Sequence, residues 1–154
     1  MTREEAVARA YELFHLGYNC SQAVYGTFAD ALGMETELAM RISAPFGGGV
    51  GRMRQVCGAV SGMCMVLGLS SDAFDPADPN AKTEIYRQTQ ALAERFREDN
   101  GSIVCSELLK GVSVTSGAKA EERNETYYRK RPCADLVADA AGFAWDMLHE
   151  KGMV

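Results

Sequence analysis

Apolar residues recur at three- and four-residue intervals through most of the chain, and no segment sustains the strict alternation of a half-buried strand. The pattern predicts an all-α fold, one helical bundle of about six to seven helices over residues 1–154. A first helix is expected from Arg3 to Leu16, with Val7, Ala10 and Phe14 on its inner face and Gly17 as its stop. Asn19 is the expected N-cap of a second helix running to about Leu32 and ending at Gly33, and a short third covers about Glu35 to Ile42 before Pro45. Gly47, Gly48, Gly49 and Gly51 then force a loop, because each glycine costs a helix up to ~1 kcal/mol relative to alanine.

A very apolar fourth helix is expected from about Gln55 to Leu69, and the Ser-Asp-Pro segment from Ser70 to Asn80 breaks it. Ile85, Thr89, Leu92 and Phe96 form the inner stripe of a long helix from about Ala81 to Asp99, followed by a short one near Val104 to Lys110. Gly111 to Arg131 is polar and reads as a surface excursion, partly helical from Ala118 to Tyr128, away from any functional site. Pro132 suits the first turn of a final helix, whose buried face is Leu136, Val137, Ala140, Phe143, Ala144, Met147 and Leu148.

Charge narrows the classes of partner. The chain carries 16 Lys and Arg against 21 Asp and Glu, a net −5, with one short basic cluster at Arg129-Lys130-Arg131. A general grip on nucleic acid or anionic lipid is not expected from that balance. The longest uncharged stretch, Gln55 to Ser71, has 17 residues with three glycines inside it, short of the ~20 apolar residues of a membrane span. Two acids near the start, where an export leader would be basic, predict a cytoplasmic protein.

In a reducing compartment cysteines are more often buried, catalytic or metal-bound than permanently bridged, so the five here carry the chemical interest. Cys20, Cys57, Cys105 and Cys133 each head the apolar stripe of a predicted helix, in its first turn and facing inward. One such cysteine is ordinarily a small core residue; four in equivalent positions form a pattern. The helix dipole and free N–H groups at that position favour a thiolate, the reactive and metal-binding form. Arg52 and Arg54 precede Cys57, which makes it the first candidate for an activated thiol, while mid-helix Cys64 reads as core packing. The intervals between the cysteines match no Cys-x-x-Cys, zinc ribbon or haem-attachment spacing, so folding has to assemble any joint site.

Cys57-Gly58-Ala59-Val60-Ser61-Gly62 resembles the signature of the C_GCAxxG_C_C family of redox-active proteins. The similarity extends to Gly17-Tyr18-Asn19-Cys20-Ser21-Gln22-Ala23-Val24, Phe46-Gly47-Gly48-Gly49, Gly101 to Leu109 and the late Cys133, nearly the whole chain. The resemblance implies a helical bacterial protein, redox-active through its cysteines and encoded near transporter genes, with transporter association as one partner reading. A related module occurs in certain haem proteins, but without Cys-x-x-Cys-His covalent haem is not expected here.

Three readings follow. In the first, the protein is a thiol-dependent oxidoreductase in which Cys57 attacks and one of Cys20, Cys105 and Cys133 resolves, serving an unidentified redox partner. In the second, the same four thiolates hold zinc or an iron–sulfur cluster. In the third, the chain is a non-catalytic helical module whose cysteines are core residues. Gly47, Gly48 and Gly49 are candidate N–H donors to an anion, a cluster sulfur or a thiolate, and Gly58 is a point of close approach on the Cys57 helix. His15 is a distant candidate proton partner for Cys20, and the Met-rich fourth helix a candidate homodimer face.

Overall fold

The computed structural model describes residues 1–154 as eight α-helices with no β-sheet. Helix α1 (Arg3–His15) begins at Thr2, whose side chain accepts the Glu5 N–H while Glu5 reaches back to the Thr2 N–H. Asn19 and Gln22 repeat that reciprocal arrangement at the start of α2 (Cys20–Phe28), which fixes Cys20 as the first residue of its helix. A 3-10 turn over Asp30–Leu32 follows, and left-handed Gly33 ends it. Glu35 caps α3 (Thr36–Ser43) through the N–H groups of Glu37 and Leu38.

The glycine-rich loop does more than turn the chain. Gly48, Gly49, Val50, Gly51, Arg52 and Arg54 all have φ between 56° and 70°, a left-handed run. Three of these residues carry side chains, and each costs roughly 1–2 kcal/mol in that conformation. Hydrogen bonds across the loop hold it, including Gly51 N–H to the Pro45 carbonyl at 2.8 Å and Gln55 N–H to the Gly49 carbonyl at 2.9 Å. The chain then forms a single antiparallel bridge, Val56 opposite Val104, before entering α4 (Gly58–Leu69).

Helix α5 (Pro79–Asn100) is capped by Asp78 and stopped by left-handed Gly101. After it come α6 (Cys105–Leu108), α7 (Glu125–Lys130) and α8 (Cys133–Glu150). Helix α1 lies along α8 and α2 along α4, with α8 also against α4, α2 and α5. Phe14, Phe28, Met63, Leu67, Phe96 and Leu148 are fully buried in one continuous core; burial of such a side chain contributes ~1.5–3 kcal/mol. No helix is long and apolar enough to cross a membrane.

The expected boundaries hold to within a few residues for the first five helices. The expected partial helix from Ala118 shrinks to the six-residue α7, which, counted in full, brings the six to seven expected helices to eight. Ile85 and Thr89 are only half-buried, so the inner stripe of α5 is anchored by Leu92 and Phe96.

Candidate functional site

Four helices present their N-terminal ends to one recess. Cys20, Cys105 and Cys133 are the first residues of α2, α6 and α8, and Cys57 occupies the N-cap of α4, one position earlier than its expected first turn. All four line a single cavity of about 60 Å³. Cys57 and Cys105 are buried, whereas Cys20 and Cys133 are half-buried.

The Val56–Val104 bridge explains how two of these sulfurs come to the same side. Cys57 N–H donates to the Ile103 carbonyl at 2.8 Å, and Cys105 N–H to the Gln55 carbonyl at 2.6 Å. Side chains alternate along paired strands, so Cys57 and Cys105, each one residue past the bridge, share the face opposite the two valines. Ser102 supports this turn by accepting the Val104 N–H and donating to the Glu107 carboxylate.

Glycines set the closeness of α2 and α4. A Cβ on Gly58 would collide with the Cys20 sulfur and stand 2.8 Å from the Phe46 carbonyl oxygen, and one on Gly62 would stand 2.8 Å from the Ser21 carbonyl oxygen. Gly58 is thus a point of close approach, as its sequence context implied. Among the loop glycines, Gly48 lines the cavity and its N–H donates toward the Cys20 sulfur. Gly47 packs on the Asn19 side chain, and Gly49 lies where a Cβ would be 2.6 Å from the Cys105 Cβ.

Electrostatics depart from the expectation of uniformly activated thiols. At Cys20 the N–H groups of Gly48, Ser21 and Cys20 itself favour the thiolate, yet burial outweighs them and raises the thiol pKa. Burial likewise pushes Cys57 far up despite the Ala59 and Val60 N–H groups, with Cys20 and then Cys133 also opposing its ionisation. Cys133 is pushed up to about 12 by burial first and by the Cys20 sulfur next, against the favourable Arg131. All four stand at helix N-terminal ends, three in the first turn and Cys57 at the cap, but for Cys20, Cys57 and Cys133 the loss of water dominates.

Arginine placement also differs. Arg54 does not serve Cys57: its Nη1 donates to the Cys105 sulfur at 3.8 Å. Arg52 instead donates to the carbonyls of Thr115 (3.0 Å), Gly117 (2.7 Å) and Lys119. Those contacts fasten the segment before α7, and that segment is part of the site. Arg123, Tyr127 and Arg131 all line the cysteine cavity, so the reading of residues 111–131 as an excursion away from the site is corrected. Arg131 is buried, paired with Glu121, and its charge favours ionisation of Cys133. The signal was present in sequence: Arg131 stands two residues before Cys133.

His15 does not line the cavity that holds Cys20. Its ring is exposed, stacked on Tyr128 at 4.5 Å and hydrogen-bonded to the Tyr11 carbonyl. Cys64 faces away from the cavity lining, packed against the core midway along α4.

The model of the family described as Putative redox-active protein (C_GCAxxG_C_C) matches residues 18–147. The chain belongs to that family. No curated protein and no solved structure matches it. The C_GCAxxG_C_C match takes in all four cavity cysteines and leaves out the whole of α1.

Proposed function

We propose that the protein works by thiol–disulfide redox chemistry in the arginine-flanked cysteine cavity. The observation that carries this reading is the convergence of Cys20, Cys57, Cys105 and Cys133, far apart in sequence, on one small recess. Cys105 takes the role of attacking thiolate, because the Arg54 guanidinium lies against its sulfur. This replaces Cys57, which lacks that contact and whose ionisation burial strongly opposes.

Cys20 takes the role of resolving thiol. Its sulfur is close enough to those of Cys105, Cys57 and Cys133 for a charge on one to oppose the ionisation of the next. In one turnover the Cys105 and Cys20 thiols give up two protons and two electrons to an oxidised partner and become one disulfide. Cys57 and Cys133 supply a second pair.

Zinc or an iron–sulfur cluster would use a sulfur-rich set of this kind, but it needs three or four donors around one centre. No three His, Cys, Asp or Glu side chains are grouped closely enough here to hold a metal ion.

Titration of the reduced protein with hydrogen peroxide, a neutral oxidant small enough for the cavity, followed by thiol counting and peptide mapping, tests the reading. A Cys20–Cys105 linkage and loss of two or four of the five free thiols are expected. Cys105→Ser should abolish the first linkage. Five thiols still free after oxidation of the folded wild-type chain would overturn the proposal.

A further inference from the structure

The cavity is cationic in an acidic protein. Arg54, Arg123 and Arg131 line it, no Asp or Glu does, and the chain as a whole has net charge −5. Arg131 is neutralised by Glu121, whereas neither Arg54 nor Arg123 forms an ion pair with a carboxylate. Arg123 is held instead by neutral groups. It donates to the Phe14 carbonyl at 3.0 Å and the Tyr18 carbonyl at 3.2 Å, and it lies over the Phe14 and Tyr127 rings at 4.3 and 4.8 Å. Arg54 faces the Cys105 sulfur and the neutral Thr115 carbonyl, and Arg123 only neutral groups, so even with Cys105 as a thiolate the arginines leave the recess with an excess of positive charge.

We propose that this recess selects small anions, and that the species reaching the sulfurs enters as an anion of about three to five heavy atoms. The size follows from the cavity: about 60 Å³ is room for roughly four water-sized bodies. A peptide, nucleotide or extended disulfide does not fit that volume; a compact oxyanion or a two-carbon carboxylate does. Selection comes from the low-dielectric walls, where Leu108, Leu109 and Leu136 keep water from screening the arginines. A cationic recess of this kind raises the local concentration of anions by 10-fold or more. The proposal rests on the thiol reading of the same site and adds the charge class of what it reacts with.

Two alkylating probes of nearly equal size separate charge from thiol reactivity. Iodoacetate is an anion and iodoacetamide is neutral, yet both react with the thiolate, forming an S–C bond and releasing iodide. The ratio of their rates at one cysteine therefore cancels the fraction of thiolate. Rates are measured on the reduced folded protein by peptide mapping at Cys20, Cys57, Cys105 and Cys133, with the urea-unfolded chain as reference.

In the folded protein the iodoacetate-to-iodoacetamide ratio at the cavity cysteine that reacts first should exceed the unfolded reference by about tenfold. Arg123→Gln should cut that excess several-fold, and Arg123→Lys should retain most of it. A ratio equal to the unfolded reference in the wild-type protein overturns the proposal, as does complete resistance of all four cysteines to both probes. The peroxide titration is independent, since that oxidant is small and carries no charge. Disulfide formation with an unselective ratio removes the anion proposal alone, and a selective ratio without disulfide formation removes the thiol–disulfide reading alone.

Discussion

Gly58 decides how near α4 can come to the Cys20 sulfur, since a methyl group there would occupy the space of that sulfur and crowd the Phe46 carbonyl. The glycine spacing on one helix face made close approach legible in sequence, but not what approached. The neighbours are a sulfur and backbone, and backbone cannot swing aside as a long side chain can. Gly58→Ala is therefore expected to destabilise the fold by about 1–3 kcal/mol, the range for overpacking, and to shift the reactivity of Cys20. Gly68, near the other end of the same helix, meets nothing within 4 Å of an added Cβ. Gly68→Ala should instead gain up to about 1 kcal/mol through helix propensity. Urea denaturation of both variants checks the pair, and equal effects would show that the contact at Gly58 carries no weight.

Helix starts and stops were legible where the signal is local and strong: Asn19 caps and Gly33 terminates through groups within a few residues of themselves, whereas Asp78 and Gly101, which bound α5, went unread. The segment from 111 to 124 was not legible, because little in it is periodic or apolar and its place is set by distant arginines. Arg52 and Arg54 donate to its carbonyls, Arg123 reaches back to α1, and Glu121 accepts the Thr115 N–H at 2.9 Å while pairing with Arg131. Glu121 thus fastens the strap to a guanidinium whose side chain is only 5% exposed. Glu121→Gln leaves that buried charge without its partner, an expected loss of about 3 kcal/mol. Amide hydrogen exchange across 111–124 should accelerate before the core helices respond, because polar straps open locally. Unchanged exchange there would mean that the arginine-to-carbonyl contacts suffice without Glu121.

At the scale of the whole molecule, the packing of four helix ends around one recess sets how the fold responds to pH. Sequence placed the cysteines at helix starts correctly, but the sign of their pKa shifts depends on depth, and depth exists only after α2, α4, α6 and α8 meet. Burial raises the pKa of Cys20, Cys57 and Cys133, the last from 9.0 to about 12, and raises Tyr127 from 10.0 to about 12. Above pH 9 the unfolded chain releases thiol protons that the folded chain still holds. The native state then binds more protons than the unfolded state, and stability falls as pH rises. The contribution is intact below pH 9 and is lost progressively toward pH 12. For Cys133 the loss at pH 10 is about 1 kcal/mol, and Cys20 and Cys57 add to it in the same direction. Urea denaturation in excess reductant should show a lower midpoint at pH 10 than at pH 7.5, with Cys133→Ala recovering about 1 kcal/mol of that difference. A fall of equal size in Cys133→Ala would mean that its thiol is already open to water in the folded protein, and the dry recess that holds the arginines and sulfurs together would not exist at that position.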